Sequence, residues 1–317
     1  MKKRFLFLLL ISLTLTVFVS AEIKFTLVPE SPRRGEPVTI ALDTYATEAF
    51  LFVGGSQVGK GAVFHVDDVP GVPCYFAAVL TIPSTVNAGR AIIRVNNNRG
   101  QILEIPFTIA ARTFRQEVLE LTPALTTLVT TRNERTIAEA NRLWQILTTT
   151  GNQVYHYGPF ILPVTTTRRT SAFGTRRINQ YSDGRRITSI HMGVDFGAPT
   201  GTEVYASGSG KVILARERVI SGNSIVIEHS PGMYSIYYHL DTIIVQENAI
   251  VEVGQQIGTV GSTGFSTGPH LHWELRLNTE NTDPDAFVAR AIVDKSLIIS
   301  RLFNIVEANL PEAEGGD

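Results

Sequence analysis

The ten residues Gly268-Pro269-His270-Leu271-His272-Trp273-Glu274-Leu275-Arg276-Leu277 constrain the fold more than any other part of the chain. From His270 onward polar and apolar side chains alternate without a break, and a period of two fits a strand but not a helix. On such a strand His270, His272, Glu274 and Arg276 share one face, and Leu271, Trp273, Leu275 and Leu277 share the other. The apolar face requires a core beneath it, while the polar face must meet water or a site. The same alternation recurs early in the chain, where Val38, Ile40 and Leu42 interleave with Thr39, Ala41 and Asp43 as in a half-buried strand.

Short apolar runs separated by turn residues extend from 22 to about 110, with Asn96-Asn97-Asn98-Arg99-Gly100 marking a hairpin. About seven such strands predict an immunoglobulin-like β-sandwich over 22–110. A helical linker over 111–160 follows, since Thr122-Pro123 fits a helix start, and Ile137, Ala140, Leu143, Trp144 and Leu147 recur at helical spacing up to Gly151. The strand pattern returns in a Gly-, Thr- and Ser-rich stretch, read as a C-terminal antiparallel β-sheet domain over 161–290. Asp283-Pro284-Asp285 then introduces a helix expected to run from 286 to 309, so 291–317 reads as C-terminal helix and tail. The chain is mainly β.

The first 21 residues stand apart. Lys2, Lys3 and Arg4 precede an apolar run from Phe5 to Val19 that closes on Ser20-Ala21, the pattern of a secretory signal peptide. The fifteen residues of that run span about 22 Å as a helix, short of a hydrocarbon core of about 30 Å. Residue 22 is Glu22, not the cysteine of a lipoprotein. The expectation is an exported protein, periplasmic or secreted, with no membrane attachment after cleavage. Export removes three basic residues from a chain of 28 Lys+Arg and 29 Asp+Glu. A chain so balanced lacks the basic footprint of a nucleic-acid partner. The single cysteine, Cys74, excludes an intrachain disulfide and a Cys-based metal site, and its apolar surroundings predict a buried thiol.

Chemistry concentrates in the second half. Two histidines two apart on a strand point the same way, about 6.8 Å apart, so His270 and His272 can share a metal, or one can ligate while the other acts on a substrate. His191-Met192-Gly193-Val194-Asp195-Phe196 repeats the arrangement, with His191, Gly193 and Asp195 on one face. Two His and one carboxylate leave a coordination position open for water, a catalytic rather than structural count; the same set also suits non-haem iron. His239, ending the aromatic run Tyr234-Ser235-Ile236-Tyr237-Tyr238, is a candidate for the same groove. His65 and His156 are read as structural, and His229 as a turn residue.

In order, His191…Asp195, Tyr237-Tyr238-His239-Leu240 and Gly261-Ser262-Thr263-Gly264-Phe265-Ser266-Thr267-Gly268-Pro269-His270-Leu271-His272 resemble the LytM/lysostaphin-type zinc metallopeptidases. Ser171-Ala172-Phe173-Gly174-Thr175-Arg176 and Val251–Gly258 add to the likeness, which covers about residues 165–290. Thr175, where an aromatic is common, and Asn248, where Gly is usual, depart from the pattern without touching the metal set. The resemblance implies Zn2+ on His191, Asp195 and His272, with His270 and His239 catalytic. It also implies endopeptidase cleavage of peptidoglycan stem peptides or cross-bridges in wall remodelling. The competing expectation is a non-catalytic activator of a wall amidase. The sandwich is expected to contact a protein partner, and the helix to space the domains or cover the groove.

Overall fold

The computed structural model describes residues 23–66, 71–97 and 100–304; the expected signal peptide at 1–21 and the tail beyond 304 lie outside them. The first seven strands are β1 (Phe25–Val28), β2 (Pro37–Leu42), β3 (Ala46–Val53), β4 (Ser56–His65), β5 (Phe76–Thr81), β6 (Gly89–Asn97) and β7 (Ile102–Ile109). Their spatial order is β1-β2-β5-β4-β3-β6-β7, with antiparallel neighbours throughout. β4 pairs with β3 through residues 56–62 and with β5 through 63–65, so it passes from one half of the sandwich to the other. Ile40, Leu42, Leu51, Leu80, Ile93 and Ile105 from the two halves form one core.

β2 is buried on both faces, not half-buried as its alternation predicts. The cause lies far along the chain: Thr39 donates its hydroxyl to the Ile292 carbonyl at 2.9 Å, and Ala41 joins a core containing Val293, Ile298 and Leu302. Those residues belong to the C-terminal segment, where α3 (Pro284–Val288) and α4 (Lys295–Phe303) replace the single helix expected over 286–309. Asp294 starts the second helix by accepting from the Leu297 amide at 3.0 Å, the side-chain cap that satisfies an otherwise unpaired donor.

Between the sandwich and the second half lie β8 (Gln116–Glu120), α1 (Pro123–Thr130) and α2 (Glu134–Thr148). The segment 111–160 is thus not wholly helical, because β8 pairs in parallel with β10 (Arg176–Gln180), which in turn pairs with β11 (Arg186–Ile190). In α2 the predicted stripe does not form the buried face. Leu147 and its neighbour Ile146 are buried against Leu214, Val226 and Tyr234, while Ile137 and Trp144 are exposed. α2 covers the sheet beside the site, not the groove.

The remaining strands are β9 (Arg169–Ser171), β12 (Val194–Gly197), β13 (Glu203–Tyr205), β14 (Gly210–Arg218), β15 (Gly222–Ser230), β16 (Met233–Ile243), β17 (Ile250–Val251), β18 (Gln256–Val260), β19 (His270–Leu277) and β20 (Glu280–Thr282). They form an antiparallel sheet along the path β17-β14-β15-β16-β19-β12-β9, with β18 joining β13 to β16 and β20 lying beside β19. Alternation on β16 sends Met233 and Tyr237 into the main core and Tyr234, Ile236 and Tyr238 toward α2 and the site. No helix among the described residues is long and apolar enough to cross a membrane.

Two expectations about single residues change. Cys74 is exposed, with its Sγ 2.9 Å from His65 Nε2; of its apolar surroundings only Tyr75 is buried. His229 is no turn residue but a core group inside β15, its Nδ1 donating to the Ser209 carbonyl at 2.8 Å and its ring edge-on to Phe160. Burial pushes His229 down to about 3 from an ordinary 6.5. The folded chain therefore keeps it neutral at pH values where the unfolded chain binds a proton, and stability falls as pH drops from about 6.5 toward about 3. The urea midpoint should decline over that window, and His229→Gln should make the decline shallower; an unchanged slope would remove His229 from the account.

Candidate metal and active site

β12 and β19 pair so that Asp195 stands opposite His272 and Gly197 opposite His270, while Val194 and Phe196 face Trp273 and Leu271 on the apolar side. The alternation of β19 therefore delivers His272 and Asp195 to one point by strand register alone. His191 arrives differently. It precedes the strand, which starts at Val194 rather than at His191, and its amide donates to the Thr175 carbonyl at 2.8 Å. Gly193 allows this approach, because a Cβ there would lie 2.2 Å from the Trp273 carbonyl oxygen.

Three acceptor atoms converge. His191 Nε2 lies 3.0 Å from Asp195 Oδ1 and 3.0 Å from His272 Nδ1, and the last two are 2.7 Å apart. All three residues are buried, and together they form a group that could hold a metal ion. Tetrahedral bonds of about 2.0–2.1 Å to N and O ligands set neighbouring donors about 3.3 Å apart, so the triangle needs only a few tenths of an ångström of expansion.

The distal atoms are equally committed. His191 Nδ1 donates to the Ala172 carbonyl at 3.0 Å, which leaves Nε2 as the lone-pair atom. His272 Nε2 donates to Glu274 Oε1 at 2.9 Å, which leaves Nδ1 facing the site. Asp195 Oδ2 accepts from Arg177 Nη2 at 2.9 Å, and the same guanidinium donates through Nε to Glu117 Oε1 at 2.5 Å. Partners of this kind fix ring orientation and ligand basicity in metal sites. The buried Glu274 also accepts from Arg276 at 2.7 Å. Burial alone would raise the Glu274 carboxyl, but Arg276 and His272 hold it well below its ordinary range. Burial likewise opposes charge on His272, yet its bonds to Asp195 and Glu274 raise it to about 9.

His239 and His270 reach the same point from separate elements, their rings 4.9 Å apart. His239 sits at the β16 bend with φ 62 and donates from Nδ1 to the Thr263 carbonyl at 2.8 Å. Burial, reinforced by the neighbouring histidines, pushes it down to about 3, so the ring is neutral. His270 points Nδ1 at the Gly268 carbonyl at 2.8 Å, and its Nε2 lies 3.8 Å from Asp195 Oδ1. Carbonyl oxygens only accept, so both rings carry hydrogen on Nδ1 and turn Nε2 outward, which on the neutral His239 is a lone pair. Tyr238 stacks on His272 with rings 5.6 Å apart and 9° from parallel.

All five candidate residues thus surround one groove of about 450 Å³. Sequence reasoning missed Arg177, Glu117 and the supporting role of Glu274. Glu274 was legible as the third polar residue on the His270–Arg276 face. Glu117 was not, since it lies on β8, 78 residues before Asp195 along the chain.

Residues 189–284 match the family model described as Peptidase family M23. The chain is 38% identical over 153 residues to the peptidoglycan DD-endopeptidase ShyB of Vibrio cholerae serotype O1, covering 45% of this chain and 35% of that protein. It is 40% identical over 124 residues to the DD-carboxypeptidase/endopeptidase Mpg of Neisseria meningitidis serogroup B, covering 39% of this chain and 28% of that one. The chain thus spans roughly a third or less of the length of these relatives. A crystal structure from Pseudomonas aeruginosa, described as an M23 peptidase candidate, has a TM-score of 0.55 at 23% identity, covering 81% of this chain and 94% of that one. This last likeness is one of fold and extends beyond residues 189–284.

The Arg177 bridge generates a prediction. Arg177→Gln should weaken divalent-metal retention about 10- to 100-fold, the usual effect of losing such a partner. Competition against a chromophoric chelator measures it, with Arg216→Gln as a remote surface control.

Proposed function

We propose that this chain is a zinc-dependent endopeptidase that hydrolyses peptide cross-links of peptidoglycan during wall remodelling. The observation that carries the reading is the convergence of His191 Nε2, Asp195 Oδ1 and His272 Nδ1 within 3.0 Å of one another, each held from behind by a hydrogen-bond partner. ShyB, a peptidoglycan DD-endopeptidase, and Mpg, a DD-carboxypeptidase/endopeptidase, point to the same class of substrate. His, Asp and His are the ligands of the bound ion in this reading. The ion supplies Lewis acidity toward a carbonyl oxygen and toward water.

The side chains do the rest. His270 is the general base: its Nε2 lone pair borders the ligand triangle, and its Nδ1–H is anchored on the Gly268 carbonyl. His239 begins neutral, so it contacts a developing oxyanion as a donor only after gaining a proton. The proton that His270 takes from water can return to the leaving amine from His270 itself or through His239 Nε2, with Thr263 holding the His239 ring in register. Tyr238 excludes water from one face of His272. The domain limits 22–110, 111–160 and 161–290, the immunoglobulin-like character of the sandwich, and its contact with a protein partner belong to the same proposal. So does export through the leader, to the periplasm or beyond the cell.

His191→Ala, Asp195→Ala and His272→Ala should lose both zinc and activity. His270→Ala and His239→Ala should keep zinc while losing about 10²- to 10⁴-fold in rate, the range of a positioned acid or base. Metal analysis combined with mass spectrometry of defined muropeptides, with and without chelator, reads both. Absence of chelator-sensitive cleavage of any cross-linked muropeptide would favour the amidase-activator reading instead.

A further inference from the structure

Beyond Asp195 and His270 the groove continues into a second hollow of about 430 Å³, with Leu119 and Thr267 lining both parts. The two parts differ in chemistry. The first is walled by Ile190, Met192, Ile220 and Phe265; the second by Arg168, Thr170, Ser171 and Glu117. Two guanidinium groups line the second hollow, those of Arg168 and Arg177, and Arg169 adjoins Arg168 in sequence. Arg177 is bound to Asp195 and Glu117, and Arg169 is turned to Asp285 at 2.7 Å. Arg168 is exposed, and among the described residues no carboxylate pairs with it.

Arg168 is nevertheless held in place. Its carbonyl accepts from the Gly197 amide at 3.0 Å, and its side chain lies over Gly197, where a Cβ would be 3.4 Å from Nη1. Gly197 stands opposite His270, two residues from the Asp195–His272 pair, about 6.8 Å along the strand. A carboxylate on the carbon that bears the scissile nitrogen is separated from that nitrogen by two covalent bonds. Adding a charge-assisted hydrogen bond gives a reach of about 6 Å. Arg168 borders the same hollow as His270 and Asp195.

We propose that Arg168 is a specificity-determining residue that binds the carboxylate carried by the leaving amine of the substrate. The proposal rests on the endopeptidase reading above and deepens it. In a bond between two D-centres the carbon on the nitrogen side carries a carboxylate outside the cleaved linkage. This holds both for a directly cross-linked diamino acid and for a terminal D-amino acid. One guanidinium, whose planar fork matches a carboxylate, therefore suits both an endopeptidase and a carboxypeptidase reaction, the pair for which Mpg is named. It also places the leaving-group side of the substrate in the second hollow and the acyl side along the apolar first one.

The test uses the full chain loaded with zinc and two versions of one directly cross-linked muropeptide. One carries the free carboxylate beside the scissile nitrogen; in the other it is a primary amide. Wild type should prefer the carboxylate substrate by about 10- to 100-fold in kcat/KM, the span of a hydrogen bond to a charged group. Arg168→Gln should collapse that ratio toward about 1 by raising KM for the carboxylate substrate, and Arg168→Lys should restore part of it. Metal content should stay at the wild-type level in both variants. Equal losses on the two substrates, or a ratio that Arg168→Gln leaves intact, would overturn the assignment while the endopeptidase reading stands. Failure of the wild type to cleave either substrate would overturn both.

Discussion

The structure turns on the packing of three electron-rich atoms into one buried point. Two imidazole nitrogens and a carboxylate oxygen lie within 3.0 Å of each other, an arrangement that calls for positive charge among them. The pull is visible on His272, whose affinity for a proton stays high in spite of burial because Asp195 and Glu274 face it from two sides. A divalent cation could answer the same field with a few tenths of an ångström of expansion of the triangle. The buried set of His272, Glu274 and Arg276 is satisfied only as a chain, which is how buried charges remain tolerable.

Most of what holds this point comes from the strands below it and the short sheet above it, and the Ala172–Thr175 turn holds His191. β12 and β19 align Asp195 and His272 through a register anchored by Phe196, Leu271 and Trp273 in the core. Above, β8 and β10 carry Glu117 and Arg177, so a strand from the connector reaches the second oxygen of Asp195 through one guanidinium. The C-terminal helices bind the sandwich to the sheet domain, with Asp283 accepting from Arg112 at 2.6 Å and the Ile292 carbonyl accepting from Thr39. The connector and the C-terminal segment are thus part of what positions the site.

The groove is divided by chemistry as well as by shape. An apolar wall on one side of the metal point and a cationic one on the other give a peptide two distinguishable ends. His239 and His270 sit at the division, both with Nδ1 tied to a backbone carbonyl, so neither ring is free to turn its Nε2 away.

Much of this was legible in the residues taken in order. The period of two in His270–Leu277 dictates a strand, its two faces and the pairing of a polar ligand face with a core, because adjacent side chains on a strand must point apart. Spacing could not choose between His270 and His272; register did, by setting His272 opposite Asp195 and His270 opposite Gly197. The same limit explains the errors. The alternation of β2 foretold an outer face in water, and the stripe of α2 foretold a buried Trp144, yet α4 covers the first and nothing among the described residues buries the second. Cys74 was read from its apolar neighbours, whereas burial depends on what packs above a segment. Local periodicity is written along the chain. The contacts of Arg177 with Glu117, of Thr39 with Ile292 and of Arg168 with Gly197 join residues far apart in sequence or on separate elements, and only the packed chain decides which of them meet.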